Sequence, residues 1–326
     1  MREQNAGLIS SVGMPTWELL TALGQLNNLS LKIILPAETE ARFRDLRDET
    51  IRQFQLDESR VTFMPSANSG VARDRIALEE AESIIPVSIR SRGILEGLIE
   101  EIAVGKELID DFRTRYEKRK VPLSYTLEGV TLNPELYSLE EAYITHWTRG
   151  SILPWPNETK LDFYRAILES DRYPRQAIDS LSRIVKSKTI LSTAKNMPHS
   201  IKTVSFSGAG PYDIVKLIKW RARQRRMSFE PYGIGIERGL ALSMGIKPVR
   251  YYDRNSDTPD TSVEPWLWQS QGMISDWRDE QEVRSLGDFD LRGIPHEQLI
   301  MFCLLPDEAR ELSARHQIRA VSFLPK

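Results

Sequence analysis

The first hundred residues alternate short apolar runs with helix-forming stretches, and this alternation restricts the chain to few folds. Four runs have the composition of β-strands, at residues 6–13, 31–36, 60–65 and 83–90. The stretches between them carry helical spacing and good helix formers. Strands that alternate with helices through short connections predict a parallel arrangement with right-handed crossovers. We therefore predict a Rossmann-like parallel α/β sheet in this part of the chain.

A second region with a different organisation follows. Residues 93–120 have a helical pattern that becomes strongly charged, and we place the boundary so that one domain spans 1–125 and the other 126–326. Six of the seven Trp residues lie after position 140, and strands no longer alternate regularly with helices. Helices are predicted at 162–170 and 175–188, and strands at 203–208, 230–237, 248–253, 282–291, 299–305 and 318–325. This order favours an α+β domain.

Composition excludes several classes of protein. A formal charge of −2 and a pI near 6.2 provide no global field toward nucleic acid or an anionic membrane. We find neither an apolar run of about 18 residues nor the layout of a signal peptide, so we expect a cytoplasmic protein without a membrane partner. The lone Cys303 excludes an internal disulfide. Since the four histidines are scattered without ligand spacing, we expect no metal site.

Small, polar and basic residues follow the predicted strands of the first domain. In a parallel sheet, ligands bind outside the carboxyl ends of the strands, near the starts of the following helices. Such residues also form ordinary turns and helix caps, and that alternative stays open. The candidate ligand-binding residues are Ser11, Gly13, Ser69, Gly70, Arg73 and Arg90.

The order of segments over residues 60–93 resembles a known superfamily. "RVTFMPSANSGVARDRIALEEAESIIPVSIRSRG" is similar to Rossmann-like domains of the SLOG superfamily, which includes DprA proteins and lysine-decarboxylase-like proteins. The resemblance covers residues 6–100 and implies binding of a nucleotide ligand. The "PGGxGT" turn of the phosphoribohydrolase branch is replaced by "SRG", which argues against hydrolysis. A complete GxGxxG is also absent, which argues against a firmly held dinucleotide.

The late segment "WRDEQEVRSLGD" concentrates acidic residues. Glu280, Glu282 and Arg284 alternate, so on a strand they share one face. Two neighbouring carboxylates could stabilise an oxocarbenium-like centre and accept a proton from a nucleophile. The alternative is an exposed ladder in which Arg278 and Arg284 neutralise both acids. Spacing alone favours the ladder.

The order of four segments in the second domain resembles the ADP-ribosyltransferase fold, nearest to the DarT-like branch and the AbiGi abortive-phage-resistance family. These segments are "YITHWTRGS", the helix-to-strand stretch that ends in "VSFS", "YGIGI", and the late Glu-x-Glu strand. The resemblance covers residues 140–305 and implies that NAD is the substrate. In that fold the late glutamate, here Glu282, is catalytic.

The same resemblance implies roles for other residues of the second domain. His146 with Thr145 would contact the nicotinamide ribose, and Glu280 would be the accessory acid. Ser192 and Ser205 would flank the nicotinamide, and Tyr232 would stack near it. The arginine that binds the NAD phosphates has no secure counterpart, and Arg149 is one candidate. Without that arginine, the domain would be an inactive fold used for binding.

A basic run, "KWRARQRR", provides one local site for a phosphate backbone. Its cations, which we place between a helix and a strand, are Lys219, Arg221, Arg223, Arg225 and Arg226. A solvated surface is the alternative. Together these observations predict an ADP-ribosyltransferase-like effector coupled to a nucleotide-sensing domain, in antiphage defence or a toxin system, with DNA or RNA as a candidate partner. A homo-oligomer is compatible with the sequence.

Two other functions remain open. One is a non-catalytic nucleotide-binding or interaction protein, which retains the fold without the chemistry. The other is a metal-dependent nucleic-acid-processing enzyme that uses the basic run and the acidic segment. Chelator sensitivity separates the second alternative from a transferase, and release of nicotinamide separates the first.

Overall fold

A computed structural model describes residues 7–13, 16–66, 70–117, 125, 127–195, 197–221, 226–253, 260–271 and 278–326. Contacts divide the chain into two compact units. Unit 1 comprises Met1–Lys120 and Leu153–Pro174, and unit 2 comprises Val121–Ile152 and Arg175–Lys326. The segment 153–174, which our sequence boundary assigns to the second domain, thus lies in unit 1 by its contacts.

The described residues of unit 1 form five strands and five helices. The strands are β1 (Gly7–Ser11), β2 (Ser30–Pro36), β3 (Val61–Ser66), β4 (Ser83–Ile84) and β5 (Glu107–Leu108). The helices are α1 (Trp17–Leu26), α2 (Glu40–Phe54), α3 (Gly70–Glu80), α4 (Ile94–Ile102) and α5 (Lys160–Glu169). The first three strands form a parallel sheet in the order β1-β2-β3. Successive residues Ile33, Ile34 and Leu35 of β2 are all buried, as expected for a central strand covered on both faces.

Two predictions for unit 1 are wrong in extent. The fourth strand does not join the parallel sheet, because β4 has only two residues and pairs with β5. Pro86, two positions beyond the end of β4, lacks an N–H donor and is unsuited to a longer ladder. The helix predicted over 93–120 ends at Ile102. Gly105 soon afterwards has φ 82°, a left-handed conformation in which a right-handed helix does not continue.

Unit 2 is built on a mixed seven-stranded sheet in the order β12-β15-β8-β6-β11-β17-β18. The strands are β6 (Tyr143–Trp147), β7 (Thr189–Ile190), β8 (Thr203–Ser207), β9 (Trp220–Arg221), β10 (Arg226–Met227), β11 (Gly233–Glu237), β12 (Lys247–Pro248), β13 (Arg250–Tyr252), β14 (Trp268–Ser270), β15 (Glu282–Leu286), β16 (Phe289–Asp290), β17 (Leu299–Cys303) and β18 (Arg319–Ser322). The helices are α6 (Ala177–Ser187), α7 (Pro211–Ile214), α8 (Arg238–Ser243) and α9 (Pro306–His316). Neighbouring strands of the large sheet are antiparallel, except for the parallel pair β17 and β18.

The large sheet separates two apolar cores. All five residues of β17 are buried, and they alternate between the cores, with Met301 on one side and Phe302 on the other. The coarser fold prediction is therefore confirmed, since a parallel α/β sheet comes first and a mixed sheet with helices follows. Among the described residues, no helix has the length and apolar character needed to cross a membrane.

Candidate active site

Three adjacent strands of the large sheet bring together residues from three parts of the chain. β15 pairs with β8, and β8 pairs with β6. In this register Arg284 lies opposite Ser205, and Glu282 lies opposite Ser207. Residues opposite each other in an antiparallel pair place their side chains on one face. The late acidic segment thus lies beside the "VSFS" strand and near "YITHW".

The carboxylate of Glu282 is held by three hydrogen bonds. Arg284 donates from Nε to Oε1 at 2.8 Å and from Nη2 to Oε2 at 2.9 Å. The hydroxyl of Ser205 donates to Oε1 at 2.8 Å. Because a bidentate guanidinium contact fixes the plane of the carboxylate, the Glu282 side chain is confined to one orientation.

Arg284 is itself anchored by the chain that precedes the acidic segment. It donates from Nη1 to the carbonyl oxygen of Trp266 at 2.7 Å and from Nη2 to Oε1 of Gln269 at 2.9 Å. Only 4% of the Arg284 side chain and 17% of the Glu282 side chain are exposed. The pair is thus not the exposed ladder that the sequence alternative described.

Glu280 does not share the strand face of Glu282, and our prediction of three alternating residues on one strand is wrong. Residues Arg278–Glu280 form a 3₁₀ turn, and Gln281 follows with φ 44°. This left-handed residue separates the turn from β15, which begins at Glu282. The turn is nevertheless fixed to β8, because the hydroxyl of Ser207 donates to the Glu280 carbonyl oxygen at 2.6 Å.

Glu280 and Glu282 interact electrostatically across this bend. Burial, and next the negative charge of Glu282, raise the pKa of Glu280 to about 7, while the cations Arg221 and Arg149 partly oppose the shift. Burial and the charges of the two glutamates likewise raise the pKa of Tyr251 to about 12. Glu280 therefore exchanges a proton near neutral pH, which suits a general acid or base.

His146 directly follows Thr145, the β6 residue that pairs with Ser207 of β8. Its Nδ1 is 2.9 Å from the carbonyl oxygen of Ser205, and its ring lies edge-on to Phe206 with centroids 5.7 Å apart. Burial is the main cause that lowers the pKa of His146 to about 4, so the ring is neutral at pH 7. Since a carbonyl oxygen only accepts, Nδ1 carries the proton and Nε2 is an acceptor. Ser205 thus joins His146 and Glu282, one through its carbonyl and the other through its hydroxyl.

Several residues that the resemblance assigned to NAD lie elsewhere. His146 is one of them, because its neighbour Thr145 pairs with Ser207 and thus shares the face of Glu282, which places the His146 side chain on the other face of the sheet. Thr145 itself is buried. Ser192 donates from its hydroxyl to Asp288 at 2.6 Å, at the Leu286 end of β15 rather than the Glu282 end. Tyr232 is buried in the apolar core and donates to Glu308 at 3.0 Å, and burial raises its pKa.

The basic residues are divided between described and undescribed parts of the chain. Arg149 donates to the carbonyl oxygen of Ser228 at 3.2 Å, and its charge acts on both Glu280 and His146. Arg221 also acts on Glu280, and Lys219 is exposed. Our placement of the basic run in a helix-to-strand connection is wrong, because its described ends form the antiparallel pair β9 and β10. Arg223, Arg225 and the side chain of Arg226 lie outside the described residues.

One described cavity is lined by Glu282, and a second adjoins the preceding residue, Gln281. The first has a volume of about 270 Å³, and the second about 490 Å³. The first cavity is lined by Glu282 and Val283 of β15 and by Tyr251. Both cavities share Gly208, Arg238 and Gln281, so they form one cleft along the end of β8. The second cavity is in the size range of pockets that bind small molecules, and the first is slightly below it.

Comparisons with protein-family models, with curated proteins and with solved structures found no match to this chain. Functional inference therefore depends on the site itself. The described residues contain no group of three or more His, Cys, Asp or Glu side chains able to hold a metal ion together.

The candidate ligand residues of unit 1 form a smaller group than predicted. Ser11 donates to Asp74 at 2.5 Å, and Arg73 donates to the carbonyl oxygen of Val12 at 2.8 Å. Gly13 and Gly70 both lie next to the Arg73 guanidinium. Arg90 is exposed in a separate turn, and Ser69 lies outside the described residues.

Sequence reasoning missed the residues that support Glu282 from a distance. Trp266 and Gln269 hold Arg284, and Tyr251 lines the cleft. Only the strand-like pattern "PVRYYD" indicated that the Tyr251 segment belongs to the sheet region. No local pattern pairs Trp266 or Gln269 with an arginine fifteen or more positions later.

Proposed function

We propose that unit 2 is an NAD-dependent ADP-ribosyltransferase whose reaction centre is Glu282. The observation that carries this proposal is the continuous link from His146 through Ser205 to Glu282. The resemblance names these three residues, and they lie on three adjacent strands, with Glu282 also lining the cleft. The pattern supports the proposal because the resemblance rested on the order of the segments and did not use spatial position.

The chemistry follows from charge and proton position. As the bond between the nicotinamide nitrogen and C1′ of the ribose breaks, its electron pair leaves with neutral nicotinamide. Positive charge develops at C1′, and the fixed carboxylate of Glu282 stabilises it. His146 would act as a positioning residue, because it holds the Ser205 carbonyl oxygen while the Ser205 hydroxyl bonds Glu282.

A nucleophile completes the transfer by forming a new bond to C1′. Glu280 in its ionised form takes the proton that the nucleophile releases, and its pKa of about 7 suits this role at neutral pH. If water is the nucleophile, the same steps give NAD hydrolysis. The cations near Glu280, Arg149 and Arg221, favour an acceptor that carries phosphate, such as DNA or RNA.

A second candidate function has one specific observation in its favour. Every hydrogen bond of the Glu282 carboxylate described above comes from within unit 2, from Arg284 and Ser205. An acid held in this way could serve only to stabilise the sheet, and the unit would then bind a nucleotide without reacting. Loss of nicotinamide release with retained NAD binding identifies that case.

The proposal includes a sensing role for unit 1. Its parallel sheet and the group around Arg73 support binding of a nucleotide ligand that regulates the transferase. An effector of this kind belongs to antiphage defence or to a toxin system, where uncontrolled NAD consumption would harm the host.

The test uses NAD labelled in its adenylate part, incubated with the full chain and with DNA, RNA or lysate protein. We expect label on one acceptor class, unchanged by chelator. Glu282→Gln and His146→Ala should abolish labelling, whereas His296→Ala, which changes an exposed histidine, should not. Chelator-sensitive cleavage of the DNA or RNA without transfer of label would instead favour metal-dependent processing, and equal labelling by Glu282→Gln would refute the proposal.

A further inference from the structure

Arg73 in the first turn of α3 is buried against the end of β1. Only 8% of the residue is exposed, and its Nε donates to the carbonyl oxygen of Val12 at 2.8 Å. The guanidinium also lies beside the start of the helix, because Nη2 is 3.8 Å from the position that a Cβ on Gly70 would occupy. Arg73 thus occupies the corner between β1 and α3.

The guanidinium of Arg73 is incompletely satisfied. Its Nη1 is buried and has no hydrogen-bond partner in the described part of the chain. No described carboxylate forms an ion pair with it, and the adjacent acid, Asp74, accepts a hydrogen bond from Ser11. A guanidinium stays charged in proteins, and a buried charge without a partner is strongly unfavourable. An anion at Nη1 would remove this penalty.

The backbone around Arg73 is in close contact with its guanidinium. Gly13 has φ 105°, and a Cβ at this position would lie 2.9 Å from Nη2 of Arg73. Glycine is therefore required by conformation and by space at the carboxyl end of β1. The eleven-residue helix α3 begins at Gly70, and its positive N-terminal end favours negative charge at the same corner.

We propose that this corner binds the phosphate group of a small ligand, with Arg73 as the residue that pairs with it. Carboxylates share the pairing chemistry, but a helix N-terminus combined with glycines at the end of a parallel strand suits the larger, doubly charged phosphate group. The inference rests on the proposed sensing role for the identity of the ligand as a nucleotide. It does not depend on transferase activity in unit 2.

The experiment measures AMP binding to the full chain by calorimetry, with adenosine, inorganic phosphate and acetate as comparison ligands. We expect AMP to bind, phosphate to compete, and adenosine and acetate to bind at least tenfold more weakly. Arg73→Gln should weaken AMP binding by about 10-fold or more, the loss expected for a charge-assisted contact. Arg75→Gln is the matched control, because Arg75 lies on the same helix, is partly exposed and pairs with Glu101.

Hydrogen–deuterium exchange on the wild-type chain keeps the proposal testable if Arg73→Gln does not fold. AMP should slow exchange in residues 7–13 and 70–80. Absence of that protection, or equal binding by Arg73→Gln and Arg75→Gln, would overturn the inference. Tighter binding of acetate than of phosphate would also overturn it.

The two proposals fail separately in this design. Protection at Arg73 without any nicotinamide release leaves the phosphate site in place and removes the transferase. Nicotinamide release that depends on Glu282, without protection from exchange at residues 7–13 and 70–80, supports the transferase and refutes the phosphate site.

Discussion

Arg284 in unit 2 and Arg73 in unit 1 are both buried arginines, and they differ in what surrounds the guanidinium. Arg284 donates to Glu282, Trp266 and Gln269, so its charge and most of its donors are satisfied. Arg73 has one bond to a carbonyl and a buried nitrogen without a described partner. The difference teaches that a satisfied arginine positions another side chain, whereas an unsatisfied one retains a donor able to bind an anion.

The largest expected effect comes from replacing each arginine by Met, which keeps much of the aliphatic volume. Arg284→Met leaves the Glu282 carboxylate without its partner and should lower the free energy of unfolding by about 3–5 kcal/mol. Arg73→Met removes an unpaired charge together with one hydrogen bond, so the change should stay within about 1 kcal/mol. Urea denaturation of both variants without ligand measures this contrast. Equal losses would show that burial alone decides the effect.

The fold was more predictable than the environment of these arginines. The β2 run and the strands of unit 2 have local patterns, because burial on one or both faces leaves a trace in the sequence. The i,i+2 spacing of Glu282 and Arg284 is enough to predict that the two side chains could pair on a strand. The burial of this pair was not predictable, because Trp266 and Gln269 reach Arg284 only through the fold. The bend at Gln281 also lacked a signal, since a non-glycine residue adopts φ 44° there.

The second-largest expected effect is the pH dependence of stability caused by Glu280. Unlike Glu282, Glu280 does not accept a described hydrogen bond from Arg284. Its pKa is raised from 4.5 to about 7 in the folded chain, so the folded state keeps a proton that the unfolded chain releases. The free energy of unfolding should therefore fall as pH rises from about 4.5 to about 7, by an amount on the order of 2 kcal/mol.

Glu280→Gln should remove this part of the pH dependence, leaving a shallower decline than in the wild type. Denaturation at pH 5 and pH 7.5 for both proteins isolates the contribution, since other titrating groups cancel in the difference. Identical pH profiles would contradict the burial of Glu280 beside Glu282.

A smaller effect sharpens the Arg73 half of the comparison. Gly13→Ala forces a residue with a side chain to adopt φ 105°. It also places the new Cβ 2.9 Å from Nη2 of Arg73. The strained conformation should cost about 1–2 kcal/mol in thermal or urea unfolding. Gly129→Ala is the control for conformation alone, because Gly129 has φ 77° and, its chain neighbours aside, no described atom lies within 4 Å of the added Cβ. A larger loss at Gly13 than at Gly129 is expected, and the reverse order would contradict close packing of Arg73.

The smallest effect separates pairing from burial. Arg292 contacts both carboxylate oxygens of Asp290 at 2.8–3.0 Å, as Arg284 contacts those of Glu282, but 72% of the Arg292 side chain is exposed. Arg292→Ala should change the free energy of unfolding by about 0.5 kcal/mol or less. A loss comparable to that of Arg284→Met would mean that the carboxylate contact, rather than burial, provides the stabilisation.

The rate of nicotinamide release from NAD tests the central claim most directly. The full chain should release nicotinamide, with AMP present or absent, and Glu282→Gln should lower the rate by about 100-fold or more, because the charge opposite C1′ is lost. Glu311→Gln, which changes an exposed glutamate of α9, should release nicotinamide at the wild-type rate. Equal rates for wild type and Glu282→Gln, or no release by the wild type under either condition, would contradict the account.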